Sequence, residues 1–177
     1  MSTVASLMKS TKNQEWYTPA PYIEAARIVM GGGIDLDPAS CLVANETVKA
    51  SQYYDEAMNG LEQPWYGRVW LNPPYGKVNN KSTIALFVNK LVQEYEAGNV
   101  SQAIILTPAD LDEKWMRPLW NYIICFADHK LWFNRPDQSK SSQFFGTAFT
   151  YLGPNETSFL NVFSQFGVVA RRISPQS

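Results

Sequence analysis

Two consecutive prolines, Pro73-Pro74, follow the apolar run Val69-Trp70-Leu71 after a single residue, Asn72, and no other feature constrains the fold as much. An unbroken apolar run of this kind reads as a strand buried on both faces. Each proline fixes φ near about −65° and removes a backbone N–H, so a ladder cannot continue through the pair. The strand, Arg68 to Leu71, therefore ends where Asn72 begins the motif, and carbonyls there are left pointing outward. In open α/β sheets the carboxyl ends of strands are where ligands bind. Asn72-Pro73-Pro74-Tyr75 thus brings a short amide, a backbone carbonyl and an aromatic face to one strand end. Two acceptors beside a ring suit a planar, conjugated –NH2 group, gripped by its two hydrogens and stacked upon. The alternative for the same four residues is a Pro-Pro turn with a packing tyrosine.

The 177 residues suffice for one domain with a sizeable core. Hydrophobic residues make up 45% and charged residues 18%, a globular rather than disordered balance. No stretch approaches the ~18 uninterrupted apolar residues of a membrane span, so no membrane role is expected. Residues 1–14 are polar, carry Lys9 and Lys12 and lack an apolar signal core. They read as a flexible arm ahead of a single domain, 15–177, in a cytoplasmic protein. Cys41 and Cys125 are too few for a disulfide framework, and His129 alone leaves no zinc set, so no metal is expected. Cys41 reads as a small buried residue. His129, between Asp128 and Lys130, reads as an ordinary surface or hairpin residue. A net charge of −1 argues against nonspecific coating of nucleic acid. It leaves room for a local basic rim drawn from Lys77, Lys81, Arg135, Lys140, Arg171 and Arg172.

Thr18-Pro19-Ala20-Pro21 opens a helix that stops at Gly31-Gly32-Gly33, with proline inside the start and glycine past the end. Residues 34–37 read as a short strand, 39–50 as a helix, Gln52-Tyr53-Tyr54 as another strand and Asn59-Gly60 as a turn. Ile84, Phe87, Val88, Leu91, Val92 and Tyr95 recur at helical spacing, with Ser82 as cap and Gly98 as terminator. Residues 103–106 form the next buried strand. Asp110, Asp112 and Glu113 sit where a helix start favours negative charge, and that helix runs towards Trp120. Residues 122–126 and 131–133 are extended, answered by 146–152 across a polar loop, 134–142. Phe159, Leu160, Phe163 and Phe166 form an amphipathic stripe before a last strand at Val168-Val169. Strands alternating with helices predict an α/β fold with a mostly parallel sheet, an antiparallel edge and helices on both faces.

Ile34-Asp35-Leu36-Asp37-Pro38-Ala39-Ser40 reads as a strand with an acidic end, then a proline and small residues opening a helix. A carboxylate there selects a ligand with positive charge or hydroxyls. The G-x-G-x-x-G of nicotinamide sites and the lysine-bearing phosphate loop are both absent. A ligand with an ammonium, a sulfonium and a ribose fits this site better than a phosphate does. Asp37 as a helix N-cap is the plain alternative. Trp16-Tyr17-Thr18-Pro19 places aromatic and backbone groups before the first helix, or merely an anchoring tryptophan. Asn59-Gly60-Leu61 supplies a polar contact or only a turn. Asp55 and Glu56 are either a ribose-binding carboxylate or a solvated acidic pair.

These segments occur together and in order, with Trp65-Tyr66-Gly67-Arg68-Val69-Trp70 preceding Asn72-Pro73-Pro74-Tyr75-Gly76. From Glu15 onward the arrangement resembles the phage-type, Dam-like DNA adenine-N6 methyltransferases. The resemblance implies a Rossmann-like, S-adenosylmethionine-dependent fold. It also implies methyl transfer to the exocyclic amine of a flipped adenine in DNA, stacked on Tyr75, in the setting of phage restriction-modification. It implies a catalytic motif of Asn72, Pro73, Pro74 and Tyr75. It further implies cofactor contacts from Tyr17, Thr18, Pro19, Asp35, Asp37, Pro38, Ala39, Ser40, Asn59 and Asn72. Two departures stand out: Ala39 and Ser40 replace the glycines many methyltransferases carry, and Asn72 replaces aspartate, a variant also in use. The chain has little room for a separate recognition domain. Loops at the sheet's carboxyl end, with Lys77, Lys81, Arg135 and Lys140, are therefore expected to meet DNA. An amino-methyltransferase acting on RNA or a protein glutamine is the nearest rival, disfavoured by the missing glycine-rich motif. A non-catalytic nucleic-acid-binding relic is disfavoured by the intact Asn72-Pro73-Pro74-Tyr75.

Overall fold

The computed structural model describes residues 16–135, 139–142 and 146–173, so the expected arm, 1–14, lies outside the described residues. Its strands in chain order are β1 (Leu36–Asp37), β2 (Gln52–Tyr53), β3 (Gly67–Leu71), β4 (Lys77–Val78), β5 (Lys81–Ser82), β6 (Val100–Pro108), β7 (Ile123–Ala127), β8 (Trp132–Asn134), β9 (Lys140–Ser142), β10 (Thr147–Leu152) and β11 (Gly167–Ala170). The helices are α1 (Ala20–Val29), α2 (Leu42–Val48), α3 (Thr83–Glu96) and α4 (Glu156–Phe163). Seven strands form one sheet in the order β11-β7-β10-β6-β3-β1-β2, while β4-β5 and β8-β9 are separate hairpins.

Within the sheet, β2, β1, β3 and β6 pair in parallel. β10 runs antiparallel to β6 and to β7, and β11 antiparallel to β7. Five strands therefore point one way, and the two reversed ones lie at the late edge, as expected. Successive strand side chains alternate faces, and here both faces are covered. Trp70, with Ile104 and Phe149, packs under α1 and α4. Val69 and Leu71, with Ile105, pack under α3. That double cover explains why β3 reads as a continuous apolar run rather than an alternating one.

Pro19 caps α1 and the chain leaves it at Gly31, whose φ of +80° is the left-handed value a helix exit favours. Several expectations need correction. α2 starts only at Leu42, and its N-cap is Cys41, whose Sγ accepts from the Ala44 N–H at 3.5 Å. Asp37 therefore caps no helix. The helix after Asp110 is a 3-10 helix, Lys114–Asn121, interrupted by Pro118 and without a side-chain cap from Glu113. The polar loop 134–142 is part of a hairpin: Trp132 pairs with Ser142 and Asn134 with Lys140. β10 therefore answers β7 but not the 131–133 segment. On α4, Phe159 and Phe163 are buried but Leu160 is 44% exposed, and Phe166 lies beyond the helix end.

Candidate active site

From β1 the chain passes through α2 to β2 on one side, whereas β3 lies on the other. The crevice outside the carboxyl ends of strands at such a switch point is the ligand position of open α/β sheets. A cleft of about 830 Å³ occupies it, within the ~300–1,000 Å³ of small-molecule sites. Its walls include Tyr17, Thr18, Asp37, Pro38, Ala39, Ser40, Asn59, Asn72, Pro73, Pro74 and Tyr75.

Asn72 is oriented by two acceptors. Its Nδ2 donates to the Trp16 carbonyl at 2.8 Å and to Thr18 Oγ1 at 3.4 Å. A carbonyl only accepts, so the amide nitrogen must face it and the oxygen must face away. Asn72 Oδ1 is buried and has no hydrogen-bond partner. An acceptor left in that state costs ~1–3 kcal/mol, a cost that a donor in the cleft removes. The segment that follows is pinned to α3, because the Gly76 carbonyl accepts from the Thr83 N–H at 3.0 Å and from Thr83 Oγ1 at 2.9 Å. Tyr75 is half-buried against the α3 side of the core.

Asp37 faces the cleft from β1 at 3% exposure. Burial pushes its carboxyl up to about 7, opposed by the Ala39 N–H, 3.2 Å away, and by Ser40. The Ser40 hydroxyl lowers it as a side-chain hydrogen-bond donor, although its contact falls outside strict hydrogen-bond geometry and Oγ has no other partner. Asn59, 5% exposed, leaves a buried Oδ1 likewise unpartnered. Its turn is pressed onto β1's exit: a Cβ on Gly60 would overlap the Pro38 carbonyl oxygen. The Gly60 carbonyl is held from behind by Trp65 Nε1 at 2.7 Å.

Not every expected site residue reaches the cleft. Pro19 is used as the α1 cap and does not line it. Asp35 does not line it either: it faces β3 and takes Arg68 Nε at 2.9 Å, Nη2 at 2.8 Å and the Arg68 N–H at 2.8 Å. Those hydrogen bonds hold its carboxyl below the usual carboxylate range. Of the basic candidates, Lys77 lines the cleft. Lys81 pairs with Val78 across the β4-β5 hairpin, whereas Lys77 pairs with Ser82, so the two lysines leave opposite faces. Arg135 and Lys140 belong to the β8-β9 hairpin, which is bridged to the cleft wall through Tyr17 and Asn134. Asp55 and Glu56 line the cleft, and Asp55 Oδ1 accepts from the Met58 N–H at 2.9 Å.

Cys41, Tyr54 and Thr83 are among the cleft residues that the sequence did not mark as site residues. Cys41 is half-buried in the wall rather than sunk in the core, and its position one residue before a helix was the available signal. Tyr54 and Thr83 also line the cleft. Cys125 is buried, with its thiol pushed up to about 12 by desolvation, which makes it inert. His129 bridges Tyr22 and Asp128, at 2.9 Å each, away from the cleft. Among the described residues no His, Cys, Asp and Glu side chains gather in a metal-holding group, and no helix is long and apolar enough to cross a membrane.

A mostly parallel α/β sheet, with a ligand cleft at its switch point and an acceptor-bearing strand end, defines a Rossmann-like methyltransferase fold. A family model described as DNA N-6-adenine-methyltransferase (Dam) matches residues 5–144, well over half of the chain. The chain belongs to that family, whose activity is methylation of adenine N6 in DNA. No curated protein matches it.

Proposed function

We propose that this chain methylates the 6-amino group of adenine in DNA, using S-adenosylmethionine, with the target base out of the duplex and stacked on Tyr75. The observation that carries the reading is the Asn72 amide: nitrogen tied back to Trp16, oxygen buried and unpartnered. Adenine's amine lone pair is delocalised into the ring and is a poor nucleophile. Asn72 Oδ1 and the Pro73 carbonyl each accept one amine hydrogen. They draw the nitrogen towards tetrahedral geometry, localise its lone pair and stabilise the positive charge that develops there. No covalent enzyme intermediate is involved. Removing the base from the stack costs a few kcal/mol, and stacking on Tyr75 returns ~1–3 kcal/mol.

The cofactor suits the donor set of the cleft, where Asp37, Ser40 and Asn59 offer buried oxygens to ammonium and hydroxyl donors. S-adenosylmethionine, when bound, supplies an electrophilic methyl on a sulfonium. Tyr17, Thr18, Asp37, Pro38, Ala39, Ser40 and Asn59 hold it, while Asp35 and Pro19 act from behind the wall. Lys77 meets the DNA backbone at the cleft mouth, with Lys81, Arg135 and Lys140 on the flanking hairpins. Residues 15–177 act as one domain. The test is transfer of labelled methyl from S-adenosylmethionine to unmethylated DNA, followed by digestion to nucleosides. N6-methyl-2′-deoxyadenosine is expected from the wild type and none from Asn72→Ala, which still binds the cofactor. Undiminished turnover in Asn72→Ala would end the mechanism, and label in RNA or protein alone would end the substrate assignment.

A further inference from the structure

The Asn72 amide is not held by its own strand but by a residue far away in the chain. Its nearer acceptor, at 2.8 Å, is the Trp16 carbonyl, and the Thr18 hydroxyl at 3.4 Å is the weaker partner. Trp16 precedes α1 and belongs to no helix or strand, so its own backbone does not fix where that carbonyl points. Its surroundings do. The ring meets Phe133 edge-on, with centroids 5.7 Å apart and planes at 78°, and the Arg135 guanidinium lies 5.2 Å from the ring centre. One residue on, Tyr17 and Asn134 exchange two backbone hydrogen bonds of 2.9 and 3.0 Å.

We propose that Trp16 is a positioning residue for Asn72. The β8-β9 hairpin grips the Trp16 ring and the Tyr17 backbone, and the Trp16 carbonyl thereby turns the Asn72 oxygen into the cleft. Phe133 is fully buried, so the hairpin has a fixed inner face to grip with. Its outer face, with Trp132, Asn134, Lys140 and Ser142 in register, is set by the same pairing. The element that presents Lys140 to solvent therefore also sets the orientation of the reacting-end amide. Loosening the ring lets the amide rotate, and its –NH2 then competes with its oxygen for the cleft. An –NH2 there repels the substrate amine instead of accepting from it.

The kinetic arm of the test rests on the methyl-transfer reading, while the spectroscopic arm does not. In 15N-labelled protein the Asn72 side-chain –NH2 pair is assigned by its absence from Asn72→Ala. In the wild type its hydrogens exchange slowly. In Trp16→Ala they exchange faster and their shifts move towards those of solvent-exposed amides. In the same variant kcat falls ~10²-fold, the scale of a 1 Å misplacement, while the S-adenosylmethionine Kd moves little and unfolding in urea stays cooperative. Trp16→Phe keeps an aromatic ring between Phe133 and Arg135, and it restores both readouts. Should Trp16→Ala not fold, Trp16→Leu carries the same comparison. An unchanged amide pair in the small variant, a loss borne by Kd with kcat preserved, or a Phe variant no better than Ala would each overturn the proposal. A wild type that transfers no methyl to DNA removes the reaction assigned above, and the amide exchange still decides the positioning role.

Discussion

Replacing Asp37 with asparagine should change how stability depends on pH, and the structure gives the size. Burial raises the carboxyl from 3.8 to about 7, a rise of about 3 pH units. At 1.36 kcal/mol per unit this is an upper bound of ~4 kcal/mol. The folded state holds the proton more tightly than the unfolded chain. The favourable contribution is therefore full below about pH 4 and is lost as pH rises through the window to about 7. Above that window the ionised carboxylate is simply a buried charge. Asp37→Asn keeps an oxygen for the Ala39 N–H and offers its –NH2 to Ser40 Oγ, which lacks a partner. Urea unfolding of ligand-free protein from pH 4 to pH 8 should show wild-type stability falling relative to the variant by up to ~4 kcal/mol across the window. The variant should be the more stable protein at pH 8. Parallel profiles would refute the buried-carboxyl argument.

Two further substitutions test the walls of the cleft. Tyr75→Ala should lower kcat/KM ~5- to 150-fold, the loss of ~1–3 kcal/mol of base stacking, while Tyr75→Phe stays near wild type in steady-state methylation. Equal losses in the two would assign the role to the hydroxyl. Gly60→Ala puts a Cβ onto the Pro38 carbonyl oxygen and should cost ~1–3 kcal/mol in urea unfolding, as overpacking does. S-adenosylmethionine affinity should weaken with it, and wild-type stability with full binding would mean the turn moves freely away from β1.

What was legible in the sequence follows from which interactions are local. The α3 stripe at Ile84, Phe87, Val88 and Leu91 is buried as its spacing requires. The apolar run ahead of Pro73 is β3, because proline acts on its own backbone and needs no partner to end a strand. Asp35 and Asp37 could not be told apart, since residues two apart share a face by alternation, and what separates them is the hold of Arg68 on Asp35 from β3. The β8-β9 hairpin was missed because no Asn-Gly or Asp-Gly pair marks its loop. By contrast β4-β5 turns at Asn79-Asn80, both at positive φ, and was still passed over as a charged loop. The acidic residues at 110–113 suggest a helix start, but Pro118 within Lys114–Asn121 removes the α pattern and leaves a 3-10 helix. The hold of Trp16 on Asn72 is a backbone contact across more than fifty residues, and no spacing rule encodes it.

The chemistry of the cleft is set less by which residues line it than by which of their atoms remain unpaired. Buried polar atoms are normally satisfied, yet Asn72 Oδ1, Asn59 Oδ1 and Ser40 Oγ are not, and all three residues line one cleft. Two of the three can only accept, and beside them lies Asp37, a carboxyl that burial pushes up to about 7. A phosphate site would require the opposite arrangement, with N–H donors converging on the ligand. What complements buried acceptors is a molecule rich in N–H and O–H donors, and a conjugated amine with two hydrogens is such a group. The Asn72 amide carries donors of its own, and they would spoil that selectivity if they faced inward. Trp16 and Thr18 take them up on the far side. The oxygen alone is left to the cleft, the arrangement that an amine donor would complement and a second acceptor would not.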